Sequence, residues 1–128
     1  MVHVLREFTV TLSDRPGAMA ELCTALGEGG VNLAGFLGYA RGGPSELRFV
    51  ASDAAKAEAF LRNQRWKWRV RDALAVAGAD EPGFVGGPAE RLAKAGVNIE
   101  AAYLALHGGE PLAVFSVDDV GAAKKALA

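Results

Sequence analysis

Leu12-Ser13-Asp14-Arg15-Pro16-Gly17 leads into Met19, Leu22, Cys23 and Leu26 at helical spacing, and the run closes on Gly29-Gly30-Val31-Asn32-Leu33. A second stretch repeats it. Gly78-Ala79-Asp80-Glu81-Pro82-Gly83 is followed by Ala95-Gly96-Val97-Asn98-Ile99, so Pro16 and Pro82 are 82 − 16 = 66 apart, as are Asn32 and Asn98 (98 − 32 = 66). The same ungapped offset pairs Leu26 with Leu92, Gly42-Gly43 with Gly108-Gly109, Phe49 with Phe115, Asp53 with Asp119 and Leu61 with Leu127. The chain therefore reads as an internal duplication.

Working outward, Val4, Phe8, Val10 and Leu12 alternate with Glu7, Thr9 and Thr11, the pattern of a half-buried strand. Pro16 suits the first position of a helix, where its missing N–H costs nothing, and Gly29-Gly30 suits the helix end. Residues 31–40 and 46–51 read as strands around the turn Gly42-Gly43-Pro44, and Ser52-Asp53 as the cap of a helix carrying Ala54, Ala57, Phe60 and Leu61. Trp66-Lys67-Trp68-Arg69-Val70-Arg71 supplies a closing strand with the tryptophans buried, and residues 73–77 then open the second unit.

Two departures mark that second unit. Pro88 stands where the first has Leu22, which predicts a later helix start and a longer, more mobile loop from Asp80 to Gly87. After Val120, Ala123 and Leu127 the sequence ends without a counterpart of residues 66–70, so a sheet edge is expected to need cover from the other unit or another chain. The fold class is thus α+β: two ferredoxin-like βαββαβ units, residues 1–70 and 71–128, each with an antiparallel sheet and its helices on one face, the second lacking a clear final strand. Apolar residues expected on the open sheet faces, such as Val50 and Val114, favour association beyond one chain.

Composition narrows the function classes. The 128 residues are 51% hydrophobic and 23% charged, with 14 basic against 15 acidic side chains and a net charge of −1, so no general attraction to nucleic acid or anionic membrane is implied. The single cysteine, Cys23, lies in an apolar helical stripe, reads as a small core residue and fits a reducing, cytoplasmic setting. No leader or membrane span is visible at the amino terminus. His3 and His107 are far apart in sequence with no further ligand at metal spacing, and no Gly-Lys-Ser/Thr follows the glycines at 83–87; neither a metal, a P-loop nor another cofactor is expected.

Asp14-Arg15-Pro16-Gly17 with Gly30-Val31-Asn32-Leu33, and again Asp80-Glu81-Pro82-Gly83 with Gly96-Val97-Asn98-Ile99, resemble the ACT domain, a small regulatory module that senses amino acids. The resemblance implies effector binding without catalysis, at interfaces where modules associate through their sheets, with sites in the loop before the first helix and at the start of the following strand. On that basis the candidate ligand residues are Asp14, Gly17, Ala18, Met19, Asn32 and Leu33, with Asp80, Gly83, Asn98 and Ile99 in the second copy; no catalytic residue is assigned. Amides at the helix start favour a carboxylate, Asp14 an ammonium, and Asn32 either group. A homodimer and a metabolic enzyme partner are expected. The alternative is an interaction subunit docking onto an enzyme or transporter without a ligand of its own.

Overall fold

A computed structural model describes residues 2–40 and 42–128. The elements in chain order are β1 (Val2–Leu12), α1 (Ala18–Glu28), β2 (Leu33–Ala40), β3 (Ser45–Ala51), α2 (Ala54–Arg62), β4 (Lys67–Ala77), α3 (Gly86–Lys94), β5 (Ile99–His107), β6 (Glu110–Val117) and α4 (Val120–Leu127). Hydrogen-bonded neighbours run β2-β3-β1-β4-β6-β5, an α+β, ferredoxin-like strand order. The β1–β3, β2–β3, β4–β6 and β5–β6 pairs are antiparallel.

Two compact units divide the chain: Arg6–Arg71, and Asp72–Ala128 together with the first five residues. The break falls inside two strands. β1 and β4 are each eleven residues long, and each gives one end to either unit. The expected separate strands at 66–71 and 73–77 are one continuous strand, β4. The second unit's missing closing strand is residues 2–5 of β1, the opposite end of the chain, so no further chain is needed to complete it.

In the first unit, Phe8, Val10 and Leu12 of β1 and Leu47 and Phe49 of β3 share a core with Leu22 and Leu26 of α1 and Ala57 and Leu61 of α2. Both helices therefore cover one sheet face. Trp66, Trp68 and Val70 pack against the same core. In the second, Leu74, Val76, Phe115 and Val117 meet Leu92 of α3 and Ala123 and Leu127 of α4.

The backbone repeats the sequence offset. Val31 N–H donates to Leu26 O at 2.8 Å and Gly30 N–H to Gly27 O at 3.0 Å; Val97 to Leu92 and Gly96 to Ala93, both at 3.0 Å, repeat them. This is a Schellman end, and it needs the left-handed glycines Gly30 (φ 77°) and Gly96 (φ 73°). Asp53 Oδ1 accepts from Lys56 N–H at 3.1 Å and Asp119 Oδ1 from Ala122 N–H at 3.0 Å, so both expected N-caps are made.

Three expectations differ from what is found, while the later helix start expected from Pro88 is observed. Pro16 is not the first helical residue, because left-handed Gly17 (φ 88°) intervenes and α1 begins at Ala18. Pro88 is the third residue of α3, where the first turn needs no donor, and the helix starts two residues later than the offset would place it (86 − 18 = 68). The polar side of β1 is not solvated: Glu7 is 0% exposed and pairs with Arg48 at 3.5 Å, while buried Thr9 Oγ1 has no partner among the described residues. Val50 and Val114 are 2% and 0% exposed, buried within the chain, so they argue nothing for association with another.

Candidate functional site

The loop entering α1 is held by its own chemistry. Gly17 adopts φ 88°, a conformation open to glycine at no steric cost, and its carbonyl accepts the first helical bond from Glu21 N–H at 2.9 Å. Arg15 reaches along the helix start, its Nη2 donating to both Glu21 carboxylate oxygens at 3.0 Å. That fork holds the Glu21 carboxyl below its ordinary pKa. Ala18 N–H donates to Arg15 O at 3.3 Å, so one of the three amides expected to receive a carboxylate is already engaged.

Beside this loop lies a hollow of about 250 Å³, lined by Ser13, Arg15, Glu21, Arg65, Trp66 and Lys67 among others. A shallower depression continues along α1 past Gly17 and Glu28, sharing Arg65 and Trp66. Arg65 and Lys67 form no ion pair among the described residues. The hollow thus offers two uncommitted cations, one carboxylate and one indole. Such a set suits a small zwitterion or anion.

The candidate residues fall into two groups within each unit. Asp14 and Gly17 belong to the entry loop and Ala18 opens α1, and Asp14 is exposed without a partner among the described residues. Met19 turns inward and packs against the core, over Gly38. Asn32 and Leu33 lie beyond the other end of α1, whose eleven residues span about 16 Å, so a unit does not bring them to the loop. Asn32 Nδ2 donates to Ser52 Oγ at 2.8 Å and its carbonyl accepts from Ser52 N–H at 3.0 Å, tying β2 to the end of β3; Leu33 packs on the core.

The second unit copies the backbone but not the side chains. Gly83 has φ 89°, Gly87 N–H donates to Gly83 O at 3.1 Å, and Phe84 N–H to Glu81 O at 3.1 Å. Yet Glu81 replaces Arg15 and Gly87 replaces Glu21, which removes the clasp. Asp80 is exposed; Asn98 is held through its backbone, its N–H donating to Asp118 Oδ1 at 3.0 Å; Ile99 packs inward.

Sequence reading missed three features. Arg65 and Lys67 were invisible as site residues because some fifty positions separate them from Arg15 and only the return of β4 beside β1 brings them close. The Glu7–Arg48 pair continues through Arg48 Nε to Tyr39 Oη at 3.1 Å, the Tyr39 hydroxyl to Glu46, and Glu46 to Arg69 at 3.6 Å. His3 and His107, distant in sequence, have ring centroids 6.3 Å apart, but no three His, Cys, Asp or Glu among the described residues form a metal-sized group. Cys23 is half-buried, and burial pushes its thiol pKa up, as for an inert core thiol.

Solved structures share this fold. A protein from Bacteroides thetaiotaomicron superposes with a TM-score of 0.83 at 20% identity, over 98% of this chain and 88% of its own. The ligand-free regulatory subunit of aspartate kinase from Thermus thermophilus gives 0.67 at 16% identity over 99% and 95%, and that from Thermus flavus 0.59 at 18% over 99% and 93%. No protein-family description and no curated protein matches the sequence. At these identities the likeness is one of fold, an ACT-like one. No helix among the described residues is long and apolar enough to cross a membrane.

Proposed function

We propose that this chain is a regulatory protein without catalytic chemistry that binds a free amino acid in the hollow beside the α1 entry loop. The observation that carries the reading is the pair of uncommitted cations, Arg65 and Lys67, facing the Arg15–Glu21 clasp across a cavity of amino-acid size. The ligand's carboxylate takes the two cations, and its ammonium takes Glu21 with help from Asp14 on the loop. Ala18 lines the hollow and Gly17 the adjoining depression, while Met19 anchors the helix start in the core. Asn32 and Leu33 reach a ligand only if a second chain supplies them. The second copy, Asp80, Gly83, Asn98 and Ile99, keeps the turn without the Arg15–Glu21 clasp and is a structural relic.

The aspartate kinase regulatory subunits of the same fold support a role in which the chain reports ligand binding to an enzyme partner. A homodimer is supported by the edge strands β2 and β5, each with one neighbour and with Phe36, Leu104 and Leu106 exposed. A thermal-shift panel of the twenty amino acids tests the reading. One amino acid or a chemically related few should stabilise the protein by about 2.7 kcal/mol at a hundredfold excess over Kd, and Arg65→Ala should abolish the shift while Asp80→Ala leaves it. Silence across the panel would refute the effector site and favour a docking subunit without a ligand.

A further inference from the structure

The two units differ where their closing strands meet the helices. In the first unit, Trp68 of β4 packs on the core, its ring 6.3 Å from Phe8. The matching position in the second unit is Val2 (68 − 66 = 2), on the stretch of β1 that closes that unit. A valine stands where an indole stood. Other size changes between the units are compensated: Leu12 and Ala18 become Gly78 and Phe84, and the Phe84 ring lies 2.7 Å from where a Gly78 Cβ would be. The loss at Val2 is not. Beside it lies a groove of about 440 Å³ lined, among the described residues, by Val2, Val4, Val76, Leu127 and Ala128.

Two cations, Arg91 of α3 and Lys124 of α4, line the same groove, and neither has an ion-pair partner among the described residues. Their counterparts in the first unit are Ala25 and Glu58 (91 − 66 and 124 − 66), and Glu58 is neutralised by Arg6 and Arg62, each at 3.7 Å. At these two positions the first unit presents no unpaired cation, whereas the second presents two. We infer that the groove of the second unit is a binding site for a flat aromatic carboxylate, its ring lying on the valines where Trp68 lies in the sister unit and its carboxylate held by Arg91 and Lys124. The volume falls within the range of small-molecule sites. A guanidinium fork receives a planar carboxylate at two points, which an inorganic anion would match without using the apolar walls. A neutral ring would leave the cations idle.

Indole-3-acetate titrated into the intact protein, followed by amide chemical shifts, tests the assignment. Saturable binding is expected, with shifts at Val2, Val76 and Leu127, and neutral indole at least about tenfold weaker. Val2→Trp, which rebuilds the first unit's filling, should abolish it. The exposed pair Arg91→Gln with Lys124→Gln, which leaves the fold alone, should weaken it by about tenfold. Arg65→Ala in the other unit's hollow should change nothing, which separates this site from the proposed effector site. Absence of saturation at millimolar probe, indifference to the Arg91/Lys124 pair of changes, equal binding of indole, or loss in Arg65→Ala would each overturn the inference.

Discussion

Gly78 and Phe84 offer a direct measure of how the second unit packs a site that the first packs differently. A Cβ on Gly78 would stand 2.7 Å from Phe84 Cε1 and 3.0 Å from Cδ1, closer than side chains tolerate, and Gly78 has no left-handed φ that would itself resist substitution. Gly78→Leu alone therefore overpacks the site and should cost about 1–3 kcal/mol. Phe84 is half-buried against the second core, so Phe84→Ala should cost about 2–3 kcal/mol, below the 3–5 kcal/mol of a fully buried ring. The double variant restores the Leu12/Ala18 pairing of the first unit. Each substitution then relieves the other, and the double should be less destabilised than the sum by about 2 kcal/mol or more. Urea unfolding of wild type, both singles and the double closes the cycle. A coupling within about 0.5 kcal/mol of zero would refute the exchange of volume between these positions.

Arg48→Met removes the cation beside fully buried Glu7 and should destabilise by about 3 kcal/mol in chemical denaturation, with much of the loss recovered in Glu7→Gln/Arg48→Met. The Tyr39 hydroxyl donates to Glu46 and holds its carboxyl below the ordinary range, against the opposing effect of partial burial. A depressed carboxylate pKa adds stability above the unfolded pKa that is lost as pH falls through the folded one, so Tyr39→Phe should lose stability at neutral pH and shed less on acidification; a stability profile between pH 2 and 7 checks the sign. Asp53→Ala and Asp119→Ala each remove a helix N-cap and should cost about 1 kcal/mol apiece by thermal unfolding, equally because the two caps are matched in geometry.

The matched turns and caps were legible because their markers are local. Gly17 and Gly83, Gly30 and Gly96, Asp53 and Asp119 each set a turn or cap with their own backbone, and the chemistry of a turn can be read from a few neighbours. The closure of the second unit was not legible, because residues 2–5 belong to it only through pairing with a strand some seventy positions away. Alternation along β1 separated its two faces correctly but left Glu7 and Thr9 assigned to solvent. A polar residue reads as exposed unless its partner is known, and Arg48 lies forty-one positions on. The site was half legible for the same reason: Asp14 to Met19 announce a helix entry, whereas Arg65 and Lys67 reach the hollow only through the sheet, and Asn32 is occupied by Ser52.

Chemical-shift mapping of the intact protein against the twenty amino acids, taken singly, tests the account at its centre. The predicted result is saturable perturbation by one amino acid or a related few, concentrated at Ser13 to Ala18 and Arg65 to Lys67, with Asp80 to Gly83 unmoved. Perturbation centred on the Asp80 to Gly83 loop, or none with any of the twenty, would contradict it.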